Sequence, residues 1–416
     1  MEIKRDYYLK QLEIRENNGL VKVITGIRRC GKSYLIFKLF KNLLLDRNIP
    51  KDHIIEVVLD NIEYEELREP HALYSFIKSK IADSSKYYIL LDEVQFVDRF
   101  SEVLNSLLHF DNVEIYATGS NSKFLSSDIL TEFRGRGDEV RVYPLSFSEY
   151  CSAFNGSRDD AWNEYMTFGG LPRILSMRTD ELKSKYLQDL FNETYLKDII
   201  DRHSIRNKDD LNDLVNVLAS AVGSLTNPTK LQNTFRSKKG SSFSYKTIKT
   251  YIDYLSDAFL IDSALRYDIK GKRYINTPLK YYFVDTGLRN ARLGFRQIEE
   301  THLMENIIFN ELKMRGFSVD VGIVEQRRLD DNGHNQRVQL EVDFIAYKGS
   351  NKYYIQSALA LSDAEKNAQE KRPFLGILDS FKKIIVVGTH IKPRIDDHGI
   401  ITMGIADFLL NPDSLR

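Results

Sequence analysis

One octapeptide restricts the folds open to this chain more than any other feature: Gly26-Ile27-Arg28-Arg29-Cys30-Gly31-Lys32-Ser33 satisfies the spacing G-x-x-x-x-G-K-[ST] at every fixed position. It follows an apolar run, Leu20 to Thr25. It precedes an amphipathic helix with Leu35, Ile36, Leu39, Phe40, Leu43 and Leu44 on one face. Glycines at those two positions let the backbone wrap, so that N–H groups and a helix N-terminus face an anion. The residues from Gly26 to Tyr34 are therefore expected to cradle the phosphates of ATP. Lys32 would reach the β and γ phosphates, and Ser33 would bind Mg2+. The competing reading is a glycine turn without a ligand.

The first 145 or so residues alternate β-rich runs with helical patterns, which predicts a parallel sheet flanked by helices. Its strands are expected at Leu20 to Thr25, Ile54 to Leu59, Tyr87 to Leu91, Val113 to Thr118 and Glu139 to Tyr143. Most read as continuous Val, Ile, Leu and Tyr, as strands buried on both faces do. The third runs into Asp92-Glu93, at the carboxyl edge where such sheets present residues to ligands. Asp92 would hold the magnesium shell and Glu93 would orient and deprotonate the attacking water. The alternative is a helix-capping pair. Gly119-Ser120-Asn121 is either a polar tip that places Asn121 at the γ phosphate or a plain turn. Arg134-Gly135-Arg136 either supplies an arginine finger, Arg136 or Arg134, to a neighbouring subunit's nucleotide or is a solvated basic loop.

At 416 residues the chain exceeds one ordinary core, so several domains are expected. Lys+Arg and Asp+Glu both number 59, so net charge argues neither for nor against nucleic acid. Two cysteines and no basic-then-apolar leader point to a reducing, cytoplasmic setting. No apolar run approaches the roughly 18 residues that span a bilayer. The eight histidines show no zinc-ligand spacing.

Taken together, Gly26 to Ser33, Leu90 to Gln95 (LLDEVQ), Thr118-Gly-Ser120, Arg134-Gly135-Arg136, Tyr143 to Phe147 with Glu149, and Phe168-Gly-Gly-Leu-Pro172 resemble a widespread prokaryotic family of AAA-type ATPases with a C-terminal domain of unknown function. The resemblance spans nearly the whole chain. It implies an AAA+ α/β core over residues 1–147, a helical lid over 148–205, a winged-helix-like segment over 206–264, and over 265–416 an α/β domain similar to the PD-(D/E)xK nuclease fold.

In the winged-helix reading, the helix capped by Ser244 enters a major groove, and the basic loop at Arg236, Lys238 and Lys239, with Lys246 and Lys249, contacts duplex DNA across residues 230–260. The other reading is a structural helical unit. In the last domain Glu305, Glu341 and Asp343 fall where the nuclease-like fold places its metal, but Gln356 and Ala358 stand where a carboxylate and a lysine are required. Cleavage is therefore disfavoured. The leading expectation is an ATP-driven switch or remodelling module with a DNA, protein or homo-oligomeric partner and no membrane. The alternative is a DNA-binding regulator that uses ATP as a structural ligand.

Overall fold

A computed structural model describes residues 3–119, 133, 135–239, 243–329 and 335–415. The N-terminal part is built on five parallel strands, β1 (Val21–Thr25), β2 (Ile54–Val58), β3 (Tyr87–Asp92), β4 (Val113–Thr118) and β5 (Gly137–Arg141), in the order β2-β3-β4-β1-β5. All five lie within two residues of their expected positions. Side chains alternate across the sheet. Val21, Val23, Ile55, Val57, Ile89, Leu91 and Ile115 feed a core on one face, whereas Ile24, Ile54, Tyr88, Leu90 and Tyr116 feed the other. Parallel pairing leaves both faces to be covered by helices, so neither set of side chains is solvated.

Helix Lys32–Tyr34 continues through a π-type stretch, Leu35–Phe40, into Lys41–Asp46, burying Leu35, Ile36, Leu39, Phe40 and Leu44. Beyond β5, helix Phe147–Ala153 opens with a capping box in which Ser146 and Glu149 satisfy each other's backbone N–H. Ser157 and Asp160 do the same for helix Arg158–Phe168. That helix stops at Gly169, whose φ of 75° a glycine tolerates at no steric cost. A long helical path follows, Asp180–Asp189 to Leu190–Leu196 to Lys197–Arg202.

Three more helices, Lys208–Ser220, Pro228–Lys239 and Tyr245–Asp257, come next, the last capped by Ser244 accepting from the Thr247 N–H. Arg236, Lys238 and Lys239 belong to the final turn of the second helix rather than to a loop, because the helical pattern from Pro228 persists to Lys239. An eight-stranded mixed sheet completes the chain: β6 (Ile261–Asp268), β7 (Arg273–Phe283), β8 (Ser318–Leu329), β9 (Asn335–Lys348), β10 (Asn351–Ala358), β11 (Lys382–Val387), β12 (Arg394–Ile395) and β13 (Ile400–Gly404). Its order is β12-β13-β11-β10-β9-β8-β6-β7. The boundary expected at residue 264 thus falls inside β6. Helices Glu300–Met314 and Ala364–Leu375 pack on this sheet.

The helices that follow β5 and the C-terminal unit meet at a tight junction. Asp285 caps helix Thr286–Arg292 by accepting from the Leu288 N–H at 3.0 Å, and it also accepts from the Gly170 N–H at 2.8 Å. A Cβ on Gly169 would lie 2.2 Å from an Asp285 oxygen, and one on Gly287 would lie 2.0 Å from the Phe168 carbonyl oxygen, so only glycine fits at either contact. Burial pushes the Asp285 carboxyl up to about 6, against the pull of those backbone donors.

Candidate phosphate and cation site

The loop after β1 lies between the segment following β5 and the helices beyond Gly169. Gly26 takes φ 129°, and a Cβ there would strike the Val142 carbonyl oxygen at 2.0 Å. Gly31, at φ 102°, starts the following helix. Between them Ile27 and Cys30 are buried, and the Cys30 thiol donates to the Val142 carbonyl at 3.4 Å, so this cysteine is a packing group. Arg29, at φ 66°, is exposed, as is Tyr34.

Lys32 is buried, and its ammonium donates to the loop's own Gly26 and Ile27 carbonyls at 2.9 and 3.2 Å. The Ser33 hydroxyl donates to Asp92 Oδ1 at 3.1 Å. The Thr118 hydroxyl donates to the same oxygen. Asp92 is 5% exposed, and burial pushes its carboxyl up, while the Thr118 and Ser33 hydroxyls pull it back down. A carboxylate and a hydroxyl converging at the end of a strand are hard oxygen donors suited to magnesium, and a bound dication would reverse the effect of burial on Asp92.

Glu93 follows in the left-handed region, φ 52°, a conformation that costs a non-glycine residue energy and turns its side chain off the strand. Its N–H donates to Thr118 Oγ1 at 3.3 Å, and its carboxylate accepts from the Gln95 amide. Thr118 therefore ties β3 and β4 together at the point where both acidic side chains emerge. Asn121 and Arg134 lie outside the described residues. Arg136 is exposed and directly precedes β5. Since Val21 pairs with Gly137, Arg136 sits at the amino edge of the sheet, one strand length, about 16 Å, from the edge that carries Gly26. It cannot reach this chain's own phosphate loop.

Several contacts to the loop come from residues that the motif does not contain. Arg5, buried, donates to the Cys30 carbonyl at 3.2 Å and the Tyr143 carbonyl at 2.8 Å, and it pairs with Glu149 at 3.0 Å. From the helical path over residues 180–202, the Tyr195 hydroxyl donates to the Arg28 carbonyl at 2.6 Å, and Asp198 pairs with the Arg28 guanidinium at 3.0 Å. Pro172 approaches so closely that a Cβ on Gly31 would lie 3.8 Å from its ring. Arg173, the next residue, is exposed, with its guanidinium 5.8 Å from the centre of the Tyr186 ring. Apart from Arg5 with Cys30 and Arg173 with Tyr186, these contacts join residues 138 to 170 positions apart, so no local pattern announces them.

Comparison with known proteins gives two matched segments. Residues 18–151 match the family described as an AAA domain, and residues 159–299 match a domain of unknown function (DUF8612). An uncharacterized protein of Haemophilus influenzae is 35% identical over 414 residues, 98% of each chain. A second, from Methanocaldococcus jannaschii, is 29% identical across 87% of this chain and 80% of its own. Among solved structures, the Aeropyrum pernix ORC1 protein in complex with DNA is 10% identical, with a TM-score of 0.31 over 70% of this chain and 92% of its own. Among the described residues no helix is long and apolar enough to cross a membrane.

Proposed function

Because this chain belongs to the family of the Haemophilus influenzae protein and carries an AAA domain at its N-terminus, we propose that it is a magnesium-dependent ATPase acting as a nucleotide-driven switch or remodelling module. The observation that carries the reading is the convergence of Ser33 on Asp92 at 3.1 Å beside a lysine whose ammonium donates to loop carbonyls. Those carbonyl contacts keep the Lys32 ammonium in place until phosphate oxygens replace them. Ser33 and Asp92 would then hold magnesium, which when bound offsets charge on the β and γ phosphates.

Glu93 is the group we assign to the attacking water. Its carboxylate leaves the strand at the edge shared with Lys32, where the Gln95 amide donates to it and orients it. Arg173, entering from the lid beside Gly31, would contact the terminal phosphate. Arg136, on the far edge, serves only a neighbouring molecule's nucleotide, so its use requires an oligomer, as does that of Arg134. Asn121 would position water or phosphate from β4. The proposed division is an ATPase core to residue 147, a lid to 205, a winged-helix-like unit to 264 and a nuclease-like domain beyond.

A DNA-binding role is supported by one arrangement. Helices Lys208–Ser220, Pro228–Lys239 and Tyr245–Asp257 are followed by the β6–β7 hairpin, the element order of a winged helix. The turn of that hairpin carries Lys270 and Lys272, in addition to Lys246 and Lys249 on the third helix. The nuclease-like reading rests on the order helix Glu300–Met314, β8, β9, β10, helix Ala364–Leu375, β11. Gln356 and Ala358 argue against cleavage there.

The test is steady-state ATP hydrolysis by the wild type and by Lys32→Ala, Glu93→Gln and Arg173→Ala, with and without duplex DNA, alongside nucleotide binding by calorimetry. Glu93→Gln is expected to lose about 10²–10⁴ in turnover while still binding ATP. Lys32→Ala is expected to lose both. Tight ATP binding by the wild type with no turnover under any condition would replace this reading with the nucleotide-stabilised DNA regulator.

A further inference from the structure

Far from the phosphate loop, three carboxylates from different elements converge on one point within the C-terminal unit. Glu305 comes from helix Glu300–Met314, and Glu341 and Asp343 come from β9. Like charges brought together in a region of low solvent access repel strongly, and a fold keeps such a cluster only by holding a proton or a cation among them. Here the point of convergence is occupied by the ammonium of Lys280, from β7. Its Nζ lies 2.8 Å from Glu305, 2.7 Å from Glu341 and 3.7 Å from Asp343.

The remaining hydrogen-bonding capacity of the cluster is also used. The Tyr282 hydroxyl donates to Glu305 Oε1 at 2.7 Å, and the Ser357 N–H donates to Asp343 Oδ2 at 2.8 Å. The Lys280 side chain is 4% exposed, against 9% for Glu305 and 11% for Asp343, so bulk water supplies little of the compensation at these three groups, while Glu341, 31% exposed, stays open to solvent. Burial alone would lower the Lys280 ammonium, but Glu305, Asp343 and Glu341 together hold it above the usual lysine range.

A divalent cation bound by these oxygens would sit 2.0–2.6 Å from each, in the space the ammonium fills. It would also meet a fixed positive charge. We infer that Lys280 is the resident cation of this centre, so that Glu305, Glu341 and Asp343 open to a divalent cation only when the chain's own ammonium is removed; with the ammonium in place, no acidic group among the described residues is arranged to hold a metal ion. The lysine arrives from β7, ahead of the helix and strands that supply the acids. The same ion cluster therefore fastens the hairpin that follows the three-helix unit to the C-terminal sheet.

This inference is independent of nucleotide turnover and is tested without nucleotide. Mn2+ binding is measured by electron paramagnetic resonance in the full chain carrying Ser33→Ala and Asp92→Asn, which removes the phosphate-site oxygens. With Lys280 present, no Mn2+ is expected at the cluster. Adding Lys280→Ala is expected to create one site per chain, which Asp343→Asn then abolishes.

Mn2+ held by the Lys280-containing protein and lost on Asp343→Asn overturns the inference. So does a folded Lys280→Ala protein that gains no site. If Lys280→Ala does not fold, Lys280→Gln keeps the stem without the charge and is held to the same two outcomes. Should neither variant fold, the Lys280-containing protein decides, with Mn2+ at Asp343 overturning the inference and its absence upholding it.

Discussion

Asp92 and Asp343 are both buried carboxylates on strands, and burial raises both, yet their surroundings differ in one respect. Asp92 is met by the hydroxyls of Ser33 and Thr118, and among the described residues no cation pairs with it, the nearby lysine being engaged with loop carbonyls. Asp343 has Lys280 and a backbone N–H. Neutral partners can orient an anion without discharging it, so the first site keeps an unmet demand for positive charge. An ammonium built into the fold meets that demand from within. The contrast separates a carboxylate prepared for an incoming cation from one already supplied.

The sharpest way to break this contrast is to remove the demand at the first site. Asp92→Asn is expected to lower magnesium-supported turnover on the order of 10²–10³, since a bound metal contributes several kcal/mol to charge stabilisation. Magnesium-free nucleotide binding should be little changed. Full activity in this variant would mean that Asp92 is not the group awaiting a cation.

A smaller effect is expected from Thr118→Val, which keeps the shape and removes the hydroxyl that fixes both Asp92 and the Glu93 backbone. Groups that orient a metal's ligands are worth about 10–100-fold, and the loss should fall on kcat more than on KM. Equal loss in both would assign Thr118 to packing alone.

The smallest effect concerns Asp343. Burial first, and the Glu305 charge next, push its carboxyl up to about 8. A folded-state value above the ordinary one, near 4, means that the native state holds the proton more tightly. The stability this group provides is therefore complete below about pH 4 and is lost as pH rises toward 8. Thermal midpoints read between pH 5 and 8 should fall with rising pH, and Asp343→Asn should flatten that slope. An unaltered slope would place the pH response elsewhere.

The two sites also differ in how far the sequence revealed them. Gly26 to Ser33 and Asp92-Glu93 are local patterns whose chemistry is dictated by spacing, and the five parallel strands are apolar runs that need both faces covered. Lys280 is the one lysine of Arg273–Phe283, a strand in which periodicity did not single it out. Its meaning depends on residues 25, 61 and 63 positions away. Glu305, Glu341 and Asp343 were read as members of one centre, but the cation that fills it was not. Arg5 and Tyr195 were missed for the same reason, because each acts on the loop's backbone carbonyls across the fold. Asp285 was also invisible, since a lone aspartate before Thr-Gly-Leu suggests a helix cap and nothing in one dimension tells that Gly170 shares it.

That last contact governs how the molecule can respond to its nucleotide. With Gly169 and Gly170 wedged against Asp285, and Phe168 against Gly287, the turn leading to Pro172 has no slack on its C-terminal side. The Pro172 ring lies beside Gly31 at the other end of that turn. A movement of the phosphate loop that shifted this turn would therefore have to be passed to the C-terminal unit or absorbed by breaking the contacts at Gly169 and Gly170.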